Sequence, residues 1–281
     1  MKLYSIENGT FKVDGGAMFG TIPKKQWSKW HSSDADNNIL LSMRSLLVDT
    51  GSRVILIDNG MGNKQSEAFY ASYELNRETE LITSLSKVGY TPDDVTDMVL
   101  THLHFDHCGG SVQHNNRITK PVLTFPNAKY WVSRAQWENY LNPNLLESDS
   151  YFPEDMKLVS ESGNLLFPDN ETELIPGFSL QIFNGHTPGQ LVPIIRFKNI
   201  TLVYAADLIP LAASVQHMWI SAYDINPLLT AQEKHHFLEE AVQNNYILFL
   251  EHDVKNECCT VAVDHTGFIP GKTGSLNEFF T

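Results

Sequence analysis

The stretch Asp97-Met-Val-Leu-Thr-His-Leu-His-Phe-Asp-His-Cys-Gly-Gly110 joins a short apolar strand to four side chains that can bind a metal ion. These side chains, His102, His104, Asp106 and His107, lie within six residues of one another. Because side chains alternate faces along a strand, His102 and His104 point the same way where the strand ends. The apolar residues before them predict a buried strand that carries the histidines at its carboxyl end. Imidazole and carboxylate together favour a borderline metal such as zinc.

Outward from this stretch, strand-like runs alternate with helical ones. Strands are predicted at residues 39–48, 54–57, 97–101, 128–132, 179–183, 191–197, 201–204, 246–250 and 261–263. Helices are predicted at Glu78–Val88, ended by Gly89, at a start near Thr91–Asp94, and from a capping box at Thr230–Glu233. The strands form two groups, each followed by helices. This order predicts an α/β fold with two sheets packed face to face and helices outside, a four-layer αββα sandwich.

Length and composition favour one large domain. The chain has 281 residues, of which 42% are hydrophobic, enough for a substantial core. A single domain over residues 1–281 is therefore expected. Residues 142–170 are polar, rich in turn-forming residues and poorly periodic. They are interpreted as an insertion between the two halves, either a lid, a dimer contact or an ordinary surface excursion.

Charge and cysteine content restrict the partners. The formal net charge of −13 disfavours nucleic acid, and no run of Lys or Arg marks a basic patch. The first residues lack the apolar core of a signal peptide, and no apolar run is long enough to cross a membrane. Cys108, Cys258 and Cys259 do not make a disulfide framework. We expect a cytoplasmic protein with a small-molecule substrate.

The segment Thr101-His-Leu-His-Phe-Asp-His-Cys-Gly-Gly110 resembles the signature of the metallo-β-lactamase superfamily. That family places further ligands at the ends of later strands. This chain carries His186, Asp207 and His252 after predicted strands, in the family's order. The resemblance covers residues 39–265 and implies the mixed β-sheets of the metallo-β-lactamase fold.

The resemblance implies two divalent metal ions, with zinc expected and iron, manganese or cobalt as alternatives. The implied ligands are His102, His104 and His186 for one ion, Asp106, His107 and His252 for the other, and Asp207 bridging both. Asp58 matches an aspartate that supports the histidine stretch from behind, since such carboxylates fix imidazole tautomers. Hydroxide shared by the ions would attack a carbonyl or phosphoryl centre, and Asp106 would orient it or move its proton.

Two further stretches resemble a subgroup of the family, Gly15–Lys24 and Ala206–Asp224. The subgroup contains quorum-quenching N-acyl-homoserine lactonases and proteins similar to methyl parathion hydrolase. The resemblance places Met18, Phe19 and Trp27 near the mouth of the active site, as an apolar wall for an acyl chain. Packing in the core is the alternative for these three side chains.

One position departs from the subgroup. Its better-known lactonases carry a tyrosine three residues after the bridging aspartate, and this chain has Pro210 there. His217 and Tyr223 are the candidates to replace the tyrosine as catalytic, substrate-contacting residues.

The predicted function is a dinuclear zinc hydrolase, a lactonase or esterase that opens N-acyl-homoserine lactones or similar small carbonyl compounds. A phosphotriesterase-like hydrolase is the first alternative. A mono-iron oxidoreductase similar to persulfide dioxygenases is the second, and a non-catalytic binding protein the third. Dimers are common in the subgroup, so a homodimer is expected.

Overall fold

A computed structural model describes residues 1–114, 120–168 and 172–280 of the chain. The chain divides into two compact units, Met1–Thr10 with Met43–Asp169 and Phe11–Ser42 with Asn170–Thr281. The single domain expected from sequence stays a prediction.

Strands and mostly short helices alternate along the chain. The strands are β1 Lys2–Asp14, β2 Asn38–Asp49, β3 Val54–Ile57, β4 Asp97–Val99, β5 Val112–His114, β6 Pro121–Leu123, β7 Lys129–Trp131, β8 Leu165–Leu166, β9 Thr172–Ile175, β10 Phe178–Phe183, β11 Gln190–Phe197, β12 Ile200–Tyr204, β13 Ile247–Phe249, β14 Cys258–Asp264 and β15 Gly267–Gly274. The helices are α1 Gly15–Phe19, α2 Lys24–Trp27, α3 Glu67–Ser72, α4 Leu81–Lys87, α5 Phe105–Cys108, α6 Arg134–Leu141, α7 Pro153–Glu161, α8 Pro227–Gln243 and α9 Asn277–Phe280. Single 3₁₀ turns lie at Pro92–Asp94, Gly109–Ser111, Ser148–Ser150, Ala206–Leu208 and Ala212–Val215.

The first unit is built on a mixed sheet with the strand order β1-β2-β3-β4-β7-β8, and β1 and β2 also supply residues to the second unit. Strands β3, β4, β7 and β8 are parallel, whereas β2 is antiparallel to β3. The core of the unit includes Leu56, Met98, Tyr130 and Val159, all fully buried. Since the carboxyl ends of parallel strands share one edge, the residues after β3 and β4 emerge side by side.

The second unit contains a seven-stranded mixed sheet with the order β15-β14-β13-β12-β11-β10-β9. Only β12 and β13 pair in parallel within it. Its core includes Phe183, Val203, Phe237 and Leu248, with Phe237 supplied by α8. The parallel pair brings the residues that follow β12 and β13 to one edge of this sheet. The predicted α/β fold with mixed sheets is confirmed.

Three helix predictions need correction at their bounds. The capping box at Thr230–Glu233 is wrong as a helix start, because α8 begins at Pro227 and its N-cap is Asn226. Proline fixes the backbone angle of a first helical residue and so starts the helix one turn earlier. The predicted helix at 78–88 is the shorter α4, which Gly89 follows at φ 88° as expected. The start near Thr91–Asp94 gives only a single 3₁₀ turn.

The region 142–170 has regular structure within its described residues. It contains α7, and β8 extends the parallel part of the first sheet. Residues 169 and 170 of this region lie outside the described residues. The role of the region as a lid or a dimer contact stays a prediction.

A search of residues 1–114, 120–168 and 172–280 finds no helix with the length and apolar character needed to cross a membrane.

Candidate metal centre

Asp58 organises the histidine stretch in the first unit. It directly follows β3, and its φ of 55° turns the chain sharply at the sheet edge. Its Oδ1 accepts a hydrogen bond from the Thr101 amide at 2.8 Å, and its Oδ2 accepts from the Thr101 hydroxyl at 2.6 Å. Oδ2 also lies 3.1 Å from Nδ1 of His107. All three groups are fully buried, and the role of Asp58 as a support for metal-binding histidines stays a prediction.

The same contacts determine which nitrogen of each ring carries the proton. Thr101 gives its only hydroxyl proton to Asp58, so its oxygen accepts from Nδ1 of His102 at 3.1 Å. His107 likewise donates through Nδ1 to Asp58. Both rings are therefore left with an unprotonated Nε2, which is the state that binds a metal.

His104 has the opposite tautomer. Its Nε2 lies 3.2 Å from Oε2 of Glu147, so this nitrogen carries the proton and Nδ1 is left as a metal donor. Glu147 is itself held in place by amide groups of Asn139 and Asn144, at 2.7 and 2.6 Å from Oε1. The Tyr151 hydroxyl donates to Oε2 at 3.0 Å. Glu147 thus orients His104 from within the region predicted as an insertion.

We expect Glu147→Gln to weaken metal binding. The two asparagine amides keep the glutamine oxygen at the Oε1 position, so its NH₂ group faces Nε2 of His104. The ring must then carry its proton on Nδ1, the nitrogen that should bind the metal. Replacements of such supporting groups reduce metal affinity by about 10–100-fold. Competition with a chelator measures the change, and Glu138→Gln, an exposed position on α6, is the matched control. Equal affinity in the two variants would contradict the role of Glu147.

Lys64 braces the chain that follows the histidine stretch. Its Nζ donates to the carbonyl groups of Gly109 and Val112, the latter at 2.7 Å. It also pairs with Oδ1 of Asp155 at 2.9 Å, and both side chains are 2% exposed. Next to this contact, a Cβ on Gly109 would lie 2.4 Å from the Met61 carbonyl oxygen, so only glycine fits. A buried ion pair and a close backbone contact therefore fix the end of the stretch.

Cys108 lies inside the stretch as a buried thiol. Its Sγ donates to the Leu103 carbonyl at 3.3 Å, and burial raises its pKa well above the usual value. The thiol is therefore kept protonated.

Asp207 lies between two histidines in the second unit. Nε2 of His186 lies 3.2 Å from its Oδ2, and Nε2 of His252 lies 3.1 Å from its Oδ1. His186 gives its Nδ1 proton to Asp224 at 2.8 Å, and His252 gives its Nδ1 proton to the Ser42 carbonyl at 2.8 Å. Both rings therefore turn an unprotonated nitrogen towards one carboxylate.

Each of these arrangements suits a cation. In the first unit, Nε2 of His102 and Nδ1 of His104 are 3.1 Å apart, so the two nitrogens can serve one ion. In the second unit, two ring nitrogens face the negative charge of Asp207. A divalent ion would be attracted to the donors of both arrangements. The nitrogen and oxygen donors of both arrangements suit zinc.

The predicted apolar wall is part of the interior of the second unit. Met18, Phe19 and Trp27 are 6%, 1% and 1% exposed. Phe19 stacks on Trp27 with ring centroids 5.3 Å apart, and it meets the edge of Trp219 at 5.5 Å. Packing therefore accounts for their burial, and contact with an acyl chain stays a prediction.

His217 lies in a segment whose backbone carbonyl groups accept hydrogen bonds from Lys234, a residue of α8. The buried ammonium group of Lys234 donates to the carbonyl groups of Ser214, Gln216 and Trp219 at 3.0, 3.3 and 2.7 Å. Burial lowers the pKa of Lys234 to about 7.

The catalytic roles of His217 and Tyr223 stay predictions. His217 packs against His235 and Phe268, with ring centroids at 6.0 and 6.5 Å. Tyr223 is 46% exposed.

Two carboxylates that contact histidines were not predicted to do so from the sequence, those of Glu147 and Asp224. Each contacts a histidine about 40 residues away along the chain, at separations of 43 and 38. Asp224 stands in a stretch that carries the subgroup resemblance, which is the one sequence signal for it. Glu147 stands in a turn-rich region with no local pattern.

Comparison with known proteins identifies the family. The model of the metallo-β-lactamase superfamily matches residues 44–251, which is most of the chain. The chain belongs to the metallo-β-lactamase superfamily and is a metal-dependent hydrolase, as the sequence predicts.

Curated relatives include N-acyl homoserine lactonases. The one from Bacillus cereus is 23% identical over 272 residues, covering 91% of this chain and 94% of the relative. Another, from a Bacillus species, is 28% identical over 145 residues, covering 51% of this chain and 50% of the relative.

Solved structures agree with the fold. A probable metal-dependent hydrolase from Staphylococcus aureus has a TM-score of 0.87 and 27% identity, with 97% of each chain covered. AidC, a dizinc quorum-quenching lactonase in complex with a product, has a TM-score of 0.79 and 25% identity, covering 96% of this chain and 93% of AidC.

Proposed function

We propose that this hydrolase is a dinuclear zinc lactonase or esterase that opens N-acyl-homoserine lactones or similar small carbonyl compounds. The observation that carries the proposal is the set of buried partners behind the histidines. One ring nitrogen each of His102, His104 and His107 lies 3.1 or 3.2 Å from a buried hydroxyl or carboxylate group, which leaves the other nitrogen for a metal ion. Partners of this kind fix the ring orientation and the tautomer of metal-binding histidines.

The proposed ligand assignment follows the family. One ion would be held by His102, His104 and His186, the other by Asp106, His107 and His252, and Asp207 would serve both. Asp58, Glu147 and Asp224 support three of the histidines from behind, so the rings keep their orientation when the ions exchange. When bound, the two ions would lower the pKa of water to near neutrality and polarise the carbonyl of the substrate.

The chain itself supplies proton transfer and orientation. Asp106 has a carboxylate 3.6 Å from Nε2 of His107 and is 15% exposed, so it can reach both ligand and solvent. We propose that a carboxylate oxygen of Asp106 accepts a proton from the attacking water. The same carboxyl group then donates this proton to the departing alkoxide.

Tyr223 and His217 are the candidates to orient the substrate carbonyl, because this chain has Pro210 where better-known lactonases have a tyrosine. Tyr223 is favoured, because its side chain is exposed, while His217 packs against Phe268. The relatives named as lactonases support the lactone as substrate.

The test is a substrate panel on zinc-loaded protein together with elemental analysis. Ring opening of acyl-homoserine lactones of several chain lengths is followed by acid release, with paraoxon and methyl parathion in parallel. We expect about two metal ions per chain and lactone hydrolysis that saturates. No ring opening above background for any chain length would refute the lactonase, and turnover of the phosphotriesters alone would assign the other hydrolase. A single iron per chain with persulfide oxidation would overturn both.

A further inference from the structure

Glu233 does not serve the capping role that the sequence predicts for it. Because α8 begins at Pro227, Glu233 lies beyond the first turn of the helix. Its carboxylate instead reaches the two residues that precede His186. The Asn184 amide donates to Oε1 at 2.9 Å and to Oε2 at 3.0 Å, and the Gly185 amide donates to Oε2 at 2.9 Å. A side chain of α8 therefore binds the backbone directly in front of a candidate metal ligand.

The residues just before α8 hold the other side of this histidine. Oδ1 of Asp224 lies 2.8 Å from Nδ1 of the His186 ring. The Ile225 amide donates to the His186 carbonyl at 3.1 Å, and the Asn226 amide donates to the Gly185 carbonyl at 3.0 Å. The ring and the carbonyl groups are thus held from one side, and the amide groups are left to the carboxylate on α8.

The turn formed by residues 184–189 packs directly on the backbone of α8. A Cβ on Gly185 would lie 2.4 Å from both the amide nitrogen and Oγ1 of Thr230, so only glycine fits there. Within the turn, the Gly189 amide donates to Oδ1 of Asn184 at 3.0 Å. Steric contact stops the turn from approaching the helix, and hydrogen bonds to α8 stop it from moving away. The distance between the turn and the helix is therefore fixed in both directions.

We propose that Glu233 is a positioning residue for His186, and that it acts by holding the backbone amides before this histidine. Hydrogen bonds to an ionised acceptor are roughly twice as strong as those to a neutral one, which suits a carboxylate to this task. Binding sites need their side chains within about 0.5 Å of the productive geometry. The inference rests on the ligand assignment of the proposed function, in which His186 binds one of the two ions, and not on the identity of the substrate.

The test is Glu233→Gln in the full-length, zinc-loaded protein. Glutamine accepts hydrogen bonds through one oxygen only, and its NH₂ group then faces a backbone N–H. We expect the affinity for one of the two ions to fall by about 10–100-fold, as for other groups that support metal ligands, and the affinity for the second ion to stay unchanged. Competition with a chelator measures both affinities. Glu239→Gln is the matched control on the same helix, because Glu239 is 50% exposed, and it should leave both affinities unchanged.

Two further measurements separate positioning of the ligand from support of the fold. The visible absorption of cobalt(II) bound in place of zinc should change in Glu233→Gln and not in Glu239→Gln, because a ligand of one ion is displaced. Urea denaturation of the metal-free proteins measures the stability of the fold by itself. A loss of stability in Glu233→Gln with an unchanged cobalt spectrum and unchanged metal affinity would make its role structural and overturn the proposal.

His186→Ala separates a failure of this inference from a failure of the ligand assignment. If His186→Ala binds both ions as tightly as the natural chain does, the ligand assignment fails and the inference fails with it. If His186→Ala weakens metal binding while Glu233→Gln behaves as Glu239→Gln does, only the inference about Glu233 is overturned. Neither comparison depends on which substrate is hydrolysed.

Discussion

Asp207→Ala is expected to remove nearly all hydrolytic activity and to lower the metal content of the purified protein. Each oxygen of this carboxylate faces Nε2 of a different histidine, at 3.1 and 3.2 Å. Loss of a group that merely supports a ligand reduces metal affinity by about 10–100-fold. Asp207 is proposed to serve both ions, so we expect its loss to reduce metal affinity by roughly 100-fold or more. Elemental analysis and kcat/KM measure the two effects.

The matched control is Asp264→Ala in the same unit. Asp264 lies at the end of β14 and is exposed, with its carboxylate bonded to Thr266. Its removal should leave metal content and activity as they are. Full metal occupancy in Asp207→Ala would contradict the bridging role. Low activity with full occupancy would instead make Asp207 a residue that acts on the substrate.

The candidate metal ligands can be placed on the fold from sequence alone where they follow the ends of apolar strands. The histidine stretch follows β4, His186 follows β10 by three residues, and Asp207 and His252 follow the parallel pair β12 and β13. Burial of the strand fixes the position of such a residue, so a local pattern is enough. Glu147 and Asp224 could not be found in this way, because each reaches its histidine only through tertiary packing.

The same distinction holds for the fold. Strands β3, β12 and β13 are mostly apolar and β10 alternates apolar with polar residues, so the sequence places these strands within a residue or two. The long strand β1 was missed, because its residues are mostly half-buried and Gly9 interrupts the pattern. A Cβ on Gly9 would lie 2.5 Å from the Asn76 carbonyl oxygen, so the glycine marks a close backbone contact rather than a strand end. The start of α8 was misplaced because Pro227 outweighs the capping pattern that follows it.

Lys64→Met is expected to cause the largest loss of stability, about 3–5 kcal/mol at neutral pH and above. Lys64 and Asp155 are each 2% exposed, and the substitution leaves the carboxylate buried without its cation. The carbonyl groups of Gly109 and Val112 also lose their donor. Urea denaturation measures the change. Adding Asp155→Leu to Lys64→Met should recover much of the loss, because an apolar pair avoids the uncompensated charge.

The pH dependence of this loss separates the ion pair from the carbonyl contacts. Burial raises the pKa of Asp155 to about 6, although Lys64 lowers it. The pKa of Asp155 in the folded protein is higher than its usual value of 3.8. The contribution of this carboxyl group to stability is therefore fully present below pH 3.8 and is lost as the pH rises through about 6. Without Lys64 the folded pKa rises further, so the carboxyl group of the variant is already neutral where that of the natural chain is ionised. The loss of stability caused by Lys64→Met should therefore be largest near roughly pH 8.5 and should become smaller as the pH falls towards about 6.

Lys12→Met is the control for loss of a surface ion pair. Lys12 pairs with Asp34 at 2.9 Å, but the two side chains are 27% and 31% exposed, so water replaces the lost contact. Its effect should be much smaller than that of Lys64→Met. The opposite outcome is a loss of stability in Lys64→Met that stays constant between roughly pH 6 and 8.5, the range in which Asp155 titrates. That result would mean that the lost carbonyl contacts alone cause the loss of stability. In that case Lys64 fixes the end of the histidine stretch as a hydrogen-bond donor, and the charge of Asp155 has no part in it.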